Sequence, residues 1–262
     1  MFDPRWFYDV TSRVHLNESC ASELVSGNVC RVELREVTYG FDKTVNEKLN
    51  ETFADYGIQC VSEENYDRRH VFAEVLNYDS WVCIDPVDGS FNLASGIGSG
   101  YICTALMKGI TPIASAIWQI NAEDGDALLL TDLVPRESAV PVLFSGFPSR
   151  SSSEQGTQTI ELVRQAERLG YKIRMLGCAT ESLLNCARNP LAVYYECGIM
   201  IWDVAAAIKC CSKAGRRVWI RAVNPNESFA VEVCVAGSKI HGFESLLNMS
   251  DLKERHEISC MF

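Results

Sequence analysis

The feature that most constrains this chain is a short apolar run that ends abruptly in acid: Ser80-Trp81-Val82-Cys83-Ile84 leads directly into Asp85-Pro86-Val87-Asp88-Gly89-Ser90. The apolar run has the length and the aromatic and β-branched content of a strand. The two carboxylates that follow stand three residues apart around a proline that restricts the backbone, so the motif reads as a turn able to aim both acids at one cation. The carbonyl of Val87 lies between them, and carbonyl oxygens are ordinary ligands for hard cations. None of the four histidines, His15, His70, His241 and His256, neighbours these acids in the chain. Oxygen-only ligation favours Mg²⁺, or Mn²⁺ in its place, over zinc. Gly89 and Ser90 then open what reads as a helix, whose first backbone N–H groups suit a phosphate. Taken alone, the same string also fits an Asx-type turn with exposed acids.

Hydrophobic spacing organises the rest. Val45, Leu49 and Phe53 recur every four residues and predict an amphipathic helix over 42–55 that Gly57 stops. A short strand over 58–61 would deliver Ser62-Glu63-Glu64 at its carboxyl end. Two β-type runs within 101–120 flank Gly109-Ile110-Thr111-Pro112 and read as a hairpin. Helices are predicted over 157–169, 179–187 and 202–214, the last opening on Asp203, with strands over 172–177 and 191–196. Alone, Asp203 reads equally as an ordinary acid of a first helical turn, and Glu63-Glu64 as a solvated pair. Strands alternating with helices imply a layered α and β architecture. The stretch 148–153 is loop-like and reads as a bend, so the sequence predicts one domain over 1–262.

A hydrophobic content of 47% supports a large core, while a net charge of -10 and a pI near 5.0 disfavour binding to nucleic acid or anionic membrane. An anionic substrate would need local positive charge, which bound divalent cations supply. Many of the twelve cysteines sit in apolar runs such as Trp81-Val82-Cys83-Ile84 and read as reduced core thiols. No Cys-x-x-Cys occurs, so a structural zinc site is not expected. The start Met1-Phe2-Asp3-Pro4 lacks a basic region followed by an apolar one, and no run of about 18 apolar residues follows. A soluble cytoplasmic protein is the expectation.

Three acidic segments occur in order: Ser62-Glu63-Glu64, then Ile84-Asp85-Pro86-Val87-Asp88-Gly89-Ser90-Phe91-Asn92, then Trp202-Asp203-Val204-Ala205-Ala206. Ser145-Gly146-Phe147-Pro148, Arg174-x-x-Gly177-x-Ala179 and Tyr195-Glu196-x-Gly198 accompany them. From residue 42 to 240 this pattern resembles the inositol monophosphatase family. Its wider group of lithium-sensitive, metal-dependent phosphatases also includes fructose-1,6-bisphosphatases and 3'-phosphoadenosine 5'-phosphate phosphatases.

The resemblance implies an α/β/α/β/α five-layer sandwich with the site at the carboxyl ends of strands, and direct, metal-assisted attack of water on phosphorus. It implies two or three Mg²⁺ ions, a small phosphorylated polyol or sugar as substrate, and a homodimer. Glu63, Asp85 and the carbonyl of Val87 would hold one ion; Asp85, Asp88 and Asp203 would hold another, with Asp85 shared. Glu63 and Ser90 would position the water, and Asp42 would hydrogen-bond the Ser90 hydroxyl and assist its activation. Gly89 and Ser90 would donate to phosphate, Glu196 would accept from substrate hydroxyls, and Gly177, Cys178, Ala179 and Asp203 would complete the substrate pocket.

Some positions depart from the family pattern. Cys178 stands where relatives carry a hydroxyl residue or alanine. Phe91 replaces a common threonine, and Asp-Gly-Ser-Phe-Asn resembles archaeal members with both inositol-phosphatase and fructose-bisphosphatase activity. Val37-Thr38-Tyr39-Gly40-Phe41 reads as a loop without the usual Thr-x-x-Asp spacing, where relatives form a third metal site. Glu33 and Glu36 either compensate or form a self-neutralising surface with Arg35. An inositol phosphate is the first expected substrate, a sugar phosphate the second and a nucleotide 3'-phosphate the third. Glu196 favours a polyol, since a carboxylate accepts hydroxyl hydrogen bonds and repels extra phosphates. A catalytically silent regulatory relative is the contrasting class, although four clustered acids are hard to explain without cations.

Overall fold

The structure is a computed structural model that describes residues 4–12, 31–65, 72–120, 127–130, 133–136, 138–146, 154–240 and 256–257. The bend at 148–153, the Phe147-Pro148 half of its motif, and His15, His70 and His241 lie outside these residues.

The elements are α1 (Pro4–Ser12), α2 (Arg31–Ala54), β1 (Cys60–Ser62), α3 (Phe72–Val75), β2 (Trp81–Asp88), α4 (Ser90–Ala94), β3 (Gly100–Lys108), β4 (Thr111–Ile120), β5 (Ala127–Leu129) and β6 (Val142–Phe144). They continue with α5 (Glu154–Arg168), β7 (Lys172–Arg174), α6 (Ala179–Arg188), β8 (Ala192–Met200), α7 (Ile201–Lys213), β9 (Arg217–Ala222), β10 (Ala230–Ala236) and β11 (His256–Glu257). One sheet has the order β1-β2-β3-β4-β5 and the other β11-β9-β10-β8-β6-β7. Both are mixed: β1 runs parallel to β2, and β6 parallel to β7 and β8, while the remaining pairs are antiparallel.

Alternation along the strands builds the layers. On β2, Val82 and Ile84 face Val45, Leu49 and Phe53 of α2 together with Phe7 and Val10 of α1. Trp81 and Cys83 point the other way, into a core shared with Leu183, Val204, Ala205 and Ile208 of α6 and α7. The second sheet closes this core with Val218, Ile220 and Val233, and its far face holds Leu143, Val193 and Tyr195 against Leu162 and Ala166 of α5. The order is therefore α1/α2, sheet, α6/α7, sheet, α5: the five-layer sandwich expected from the sequence. Helix α7 lies between two sheets and is buried on nearly all sides, which its Val204-Ala205-Ala206-Ala207-Ile208 run permits because small side chains allow close approach. No helix among the described residues is long and apolar enough to cross a membrane.

The hairpin at Gly109 forms as read from the sequence. Two expectations fail. Residues 37–41 continue α2 instead of forming a loop, because a single glycine costs a helix only about 1 kcal/mol, which a long element absorbs. Asp85-Pro86-Val87-Asp88 is the end of strand β2 rather than a turn, and the register against β3 slips between Asp85 and Asp88. Pro86 lacks the N–H that an inner strand needs, and the bulge is what accommodates it. The nine described cysteines are unbridged, and seven of them are buried.

Candidate active site

The bulge sets the site. Asp85 pairs with Cys103 and Asp88 with Tyr101 across β3, so the irregular step between them re-aims the strand end. The Asp85 carboxylate folds back onto its own chain, where the N–H of Val87 donates to Oδ1 at 3.0 Å. On the other side β1 pairs with β2 through Ser62 and Ile84, so the next step along both strands brings Glu63 toward Asp85.

Asparagines hold the turn that carries Glu63. The N–H of Ser62 donates to Asn65 Oδ1 at 2.7 Å, and the Ser62 hydroxyl lies 2.6 Å from Asn46 Oδ1 on α2. Asn65 Nδ2 donates to Asn50 Oδ1 at 3.0 Å, one helical turn along the same face. Asp42 lies one turn before Asn46 on α2, and its Oδ1 is buried without a hydrogen-bond partner among the described residues. The Asp42–Ser90 hydrogen bond implied by the resemblance is thus absent: Asp42 faces the acidic turn of β1, not the Ser90 hydroxyl.

Gly89 caps α4 in the left-handed region (φ 80, ψ 22) and brings no side-chain cap to the first turn. A Cβ there would meet Ser99 O at 2.9 Å and the Cys178 side chain at 3.1 Å. The next residue but two, Asn92, donates from Nδ2 to Leu176 O at 2.6 Å and so ties α4 to the loop that precedes α6. In that loop Gly177 takes a positive φ of 69 and Cys178 caps α6, accepting from the N–H of Glu181 at 3.4 Å. The strand end that carries the expected metal ligands and the expected substrate loop are therefore in contact.

Asp203 enters from the first turn of α7, where its carboxylate accepts from the N–H of the cap residue Met200. Glu196 stands midway along β8 and accepts from Tyr194 Oη at 2.7 Å and from the N–H of Gly146 at 3.0 Å. Tyr194 and Thr180 are the supporting residues that sequence reasoning missed. Thr180 gives its N–H to Asp88 Oδ2 at 2.5 Å, while its hydroxyl lies 3.2 Å from Cys103 Sγ and 3.5 Å from Asp203 O. The spacing of Tyr194 and Glu196, two residues apart on one strand face, was the available signal for the first; a backbone N–H leaves none for the second.

The acids act on one another. Burial raises the pKa of Asp85 well above the ordinary aspartate value, and Asp88, Asp203, Glu63 and Asp42 add to the rise. Asp203 is raised in the same way by burial and by Asp88, Glu63 and Glu196. Partial burial, then Glu64 and Asp88, push up Glu63. Asp42 is raised to about 8 by burial and by Glu64 and Glu63. Burial also raises Asp88, against the opposing pull of hydrogen bonds from Thr180, Cys178 and Ala179 at the start of α6. No Lys or Arg is among the main influences on any of these five acids.

Among the described residues no three His, Cys, Asp or Glu side chains close on one point as a formed ligand cage. Asp88, expected as a ligand beside Asp85 and Asp203, has turned one oxygen onto α6. The donor chemistry nevertheless fits a hard divalent cation: anionic oxygens, the carbonyl of Val87, and one buried carboxylate oxygen on Asp42 that no described residue bonds.

The fold is shared by solved structures. Mycobacterium tuberculosis SuhB superposes with a TM-score of 0.66 at 21% identity, covering 96% of this chain and 99% of that one. The profile of the inositol monophosphatase family matches residues 36–242, and the chain belongs to that family. An inositol-1-monophosphatase SuhB of Mycobacterium tuberculosis is 26% identical over 195 residues, 69% of this chain and 66% of that protein. A fructose-1,6-bisphosphatase/inositol-1-monophosphatase of Thermococcus kodakarensis is 25% identical over 188 residues, 69% of this chain and 68% of that protein. The chain spans from 51% to 66% of the length of the first curated relatives it matches.

Proposed function

We propose that this protein is a Mg²⁺-dependent phosphomonoesterase that releases phosphate from an inositol phosphate or a similar polyol phosphate. One observation carries the reading: Asp42, Glu63, Asp85, Asp88 and Asp203 gather in one region, each raised in pKa by burial, four of them also by one another, with no Lys or Arg of the described residues among the main influences on them. Uncompensated buried charge destabilises a fold, and amide or apolar side chains would serve the same positions better. Bound there, Mg²⁺ would neutralise the acids, offset the charge of an incoming phosphate and lower the pKa of a water.

The chain's own groups divide the remaining work. Glu63, Asp85 and the Val87 carbonyl would hold one cation, and Asp85, Asp88 and Asp203 would hold a second. Glu63 and the Ser90 hydroxyl orient the attacking water, and Asp42 Oδ1 is a nearby acceptor that assists its activation. The N–H groups of Gly89 and Ser90 donate to the phosphate, at a helix start that has no competing side-chain cap. Glu196 accepts from polyol hydroxyls, and Gly177, Cys178 and Ala179 line the same wall. A carboxylate at that wall repels a second phosphate, which favours a polyol monoester over a nucleotide.

A sugar phosphate is the second reading. Phe91, directly after Ser90, is 67% exposed and places an apolar surface beside the phosphate residues. The similarity to the Thermococcus kodakarensis protein supports the same substrate class.

The test is phosphate release from inositol 1-phosphate, fructose 1,6-bisphosphate, 3'-phosphoadenosine 5'-phosphate and an aryl phosphate, each with Mg²⁺ and with chelator. Magnesium-dependent turnover with the highest kcat/KM for inositol 1-phosphate is expected. Negligible release from all four would replace the enzyme reading with a silent, regulatory one.

A further inference from the structure

We propose that Tyr194 is a positioning residue that fixes the carboxylate of Glu196 and thereby sets the preference for polyhydroxy leaving groups. The inference rests on the proposed role of Glu196 and adds the device that makes it selective.

The geometry is specific. Tyr194 and Glu196 alternate on β8, so both point to the same face of the sheet. Tyr194 is wholly buried in the central core, which locks its ring and fixes where its hydroxyl stands. That hydroxyl donates to Glu196 Oε2 at 2.7 Å, and the N–H of Gly146 donates to the same oxygen at 3.0 Å. Two donors from different elements thus saturate one oxygen. Among the described residues no hydrogen bond is made to the other, Oε1.

Gly146 shows how tightly the carboxylate is held. A Cβ at that position would collide with both carboxylate oxygens, so backbone and acid approach only because no side chain intervenes. A carboxylate gripped at one oxygen presents the second in a single direction. Substrate hydroxyls donate to a fixed acceptor far better than to one that samples several rotamers, because the ordering has been done in advance. An ester whose leaving group carries no hydroxyl gains nothing from that arrangement.

The experiment compares wild type, Tyr194→Phe, Glu196→Ala and the double variant on inositol 1-phosphate and on an aryl phosphate without hydroxyls, with thermal melting as a control. Removing one hydrogen bond from the clamp is expected to lower the ratio of kcat/KM for the polyol ester to that for the aryl ester about three- to tenfold. The fall should lie mainly in KM for the polyol ester. Glu196→Ala should lower the ratio at least as far, and adding Tyr194→Phe to it should change the ratio no further. Should Tyr194→Phe not fold, Gly146→Ala displaces the same carboxylate from the opposite side and must lower the same ratio.

A ratio that stays at the wild-type value in Tyr194→Phe, while Glu196→Ala lowers it, overturns the inference and leaves Glu196 in place. A ratio unmoved by Glu196→Ala removes the role of Glu196 and the inference together. Wild type that hydrolyses neither ester removes the inositol-phosphate reading on which the inference rests, and the inference with it.

Discussion

The backbone N–H of Thr180 donates to Asp88 Oδ2 at 2.5 Å, so an acid at the end of β2 caps helix α6, 92 residues further along the chain. Under the proposed function Asp88 has two demands on it, a helix start and a cation, and substitution separates them. Asp88→Asn keeps an oxygen for the Thr180 N–H but loses the charge. Phosphate release at saturating Mg²⁺ is expected to fall about 100-fold or more. In chelator the melting temperature should stay level or rise, since one of five mutually repelling acids has gone. Undiminished turnover in this variant would take Asp88 out of the cation site.

Asp203 offers a direct test of the proposed metal. Its carboxylate caps α7 through the Met200 N–H, a bond that an asparagine retains, so Asp203→Asn should fold. In wild type, Mg²⁺ at about a hundred times its dissociation constant should stabilise the fold by about 2.7 kcal/mol, a rise of about 5–10 °C for a domain of this size. Asp203→Asn and Asp85→Asn should each lose most of that rise along with turnover. Thermal melting in chelator and in Mg²⁺ measures it, and an equal rise in all three proteins would sink the assignment.

The parts of this site that a sequence exposes are those whose chemistry is carried by side-chain identity at short spacing. Asp85 and Asp88, Glu63 after a short strand, and Asp203 at a helix start were all legible, because each couples a residue type to a local element. The strand that runs through Pro86 was not, since proline argues against an inner strand and only the pairing with β3 reveals the bulge. The strand predicted over 191–196 continues to Met200 for a similar reason: Gly198 takes a positive φ of 88, and β8 is irregular against β10 at Val231 and Glu232. The clamp on Glu196 joins residues 50 apart through a backbone N–H, which every residue but proline possesses. Gly146 stood in a motif, yet nothing in that motif says which acid its missing side chain makes room for.

The acids also predict how stability depends on pH. In the unfolded chain Asp42 loses its proton near 3.8, whereas burial and the neighbouring Glu64 and Glu63 hold the folded value up to about 8. The folded state keeps a proton that the unfolded state has released, so the stability contributed is full below the lower value and lost as pH rises through the upper one. Asp85, Asp203 and Glu63 shift in the same direction. Without divalent cations the melting temperature should therefore decline between about pH 5 and pH 9. Asp42→Asn should flatten part of that decline. A melting temperature that climbs with pH in chelator would contradict the packing of these acids.

Gly89 and Gly96 form an internal comparison for the phosphate turn. Both take a left-handed backbone, with φ of 80 and 66, so alanine is disfavoured at either. At Gly96 a Cβ meets nothing within 4 Å, and only the backbone term applies, about 1 kcal/mol. At Gly89 the Cβ would stand 2.9 Å from Ser99 O and 3.1 Å from Cys178 Cβ and Sγ, so the start of α4 and the α6 loop must part to admit it. Gly89→Ala should cost about 2–3 kcal/mol of stability. It should also lower kcat/KM at least about tenfold, because the Ser90 N–H and the Cys178 loop no longer stand where phosphate needs them. Gly96→Ala should lose about 1 kcal/mol and keep its turnover. Melting and phosphate release on the two variants separate backbone strain from close approach, and equal activity in both would show that the contact between Gly89 and Cys178 has no part in the reaction.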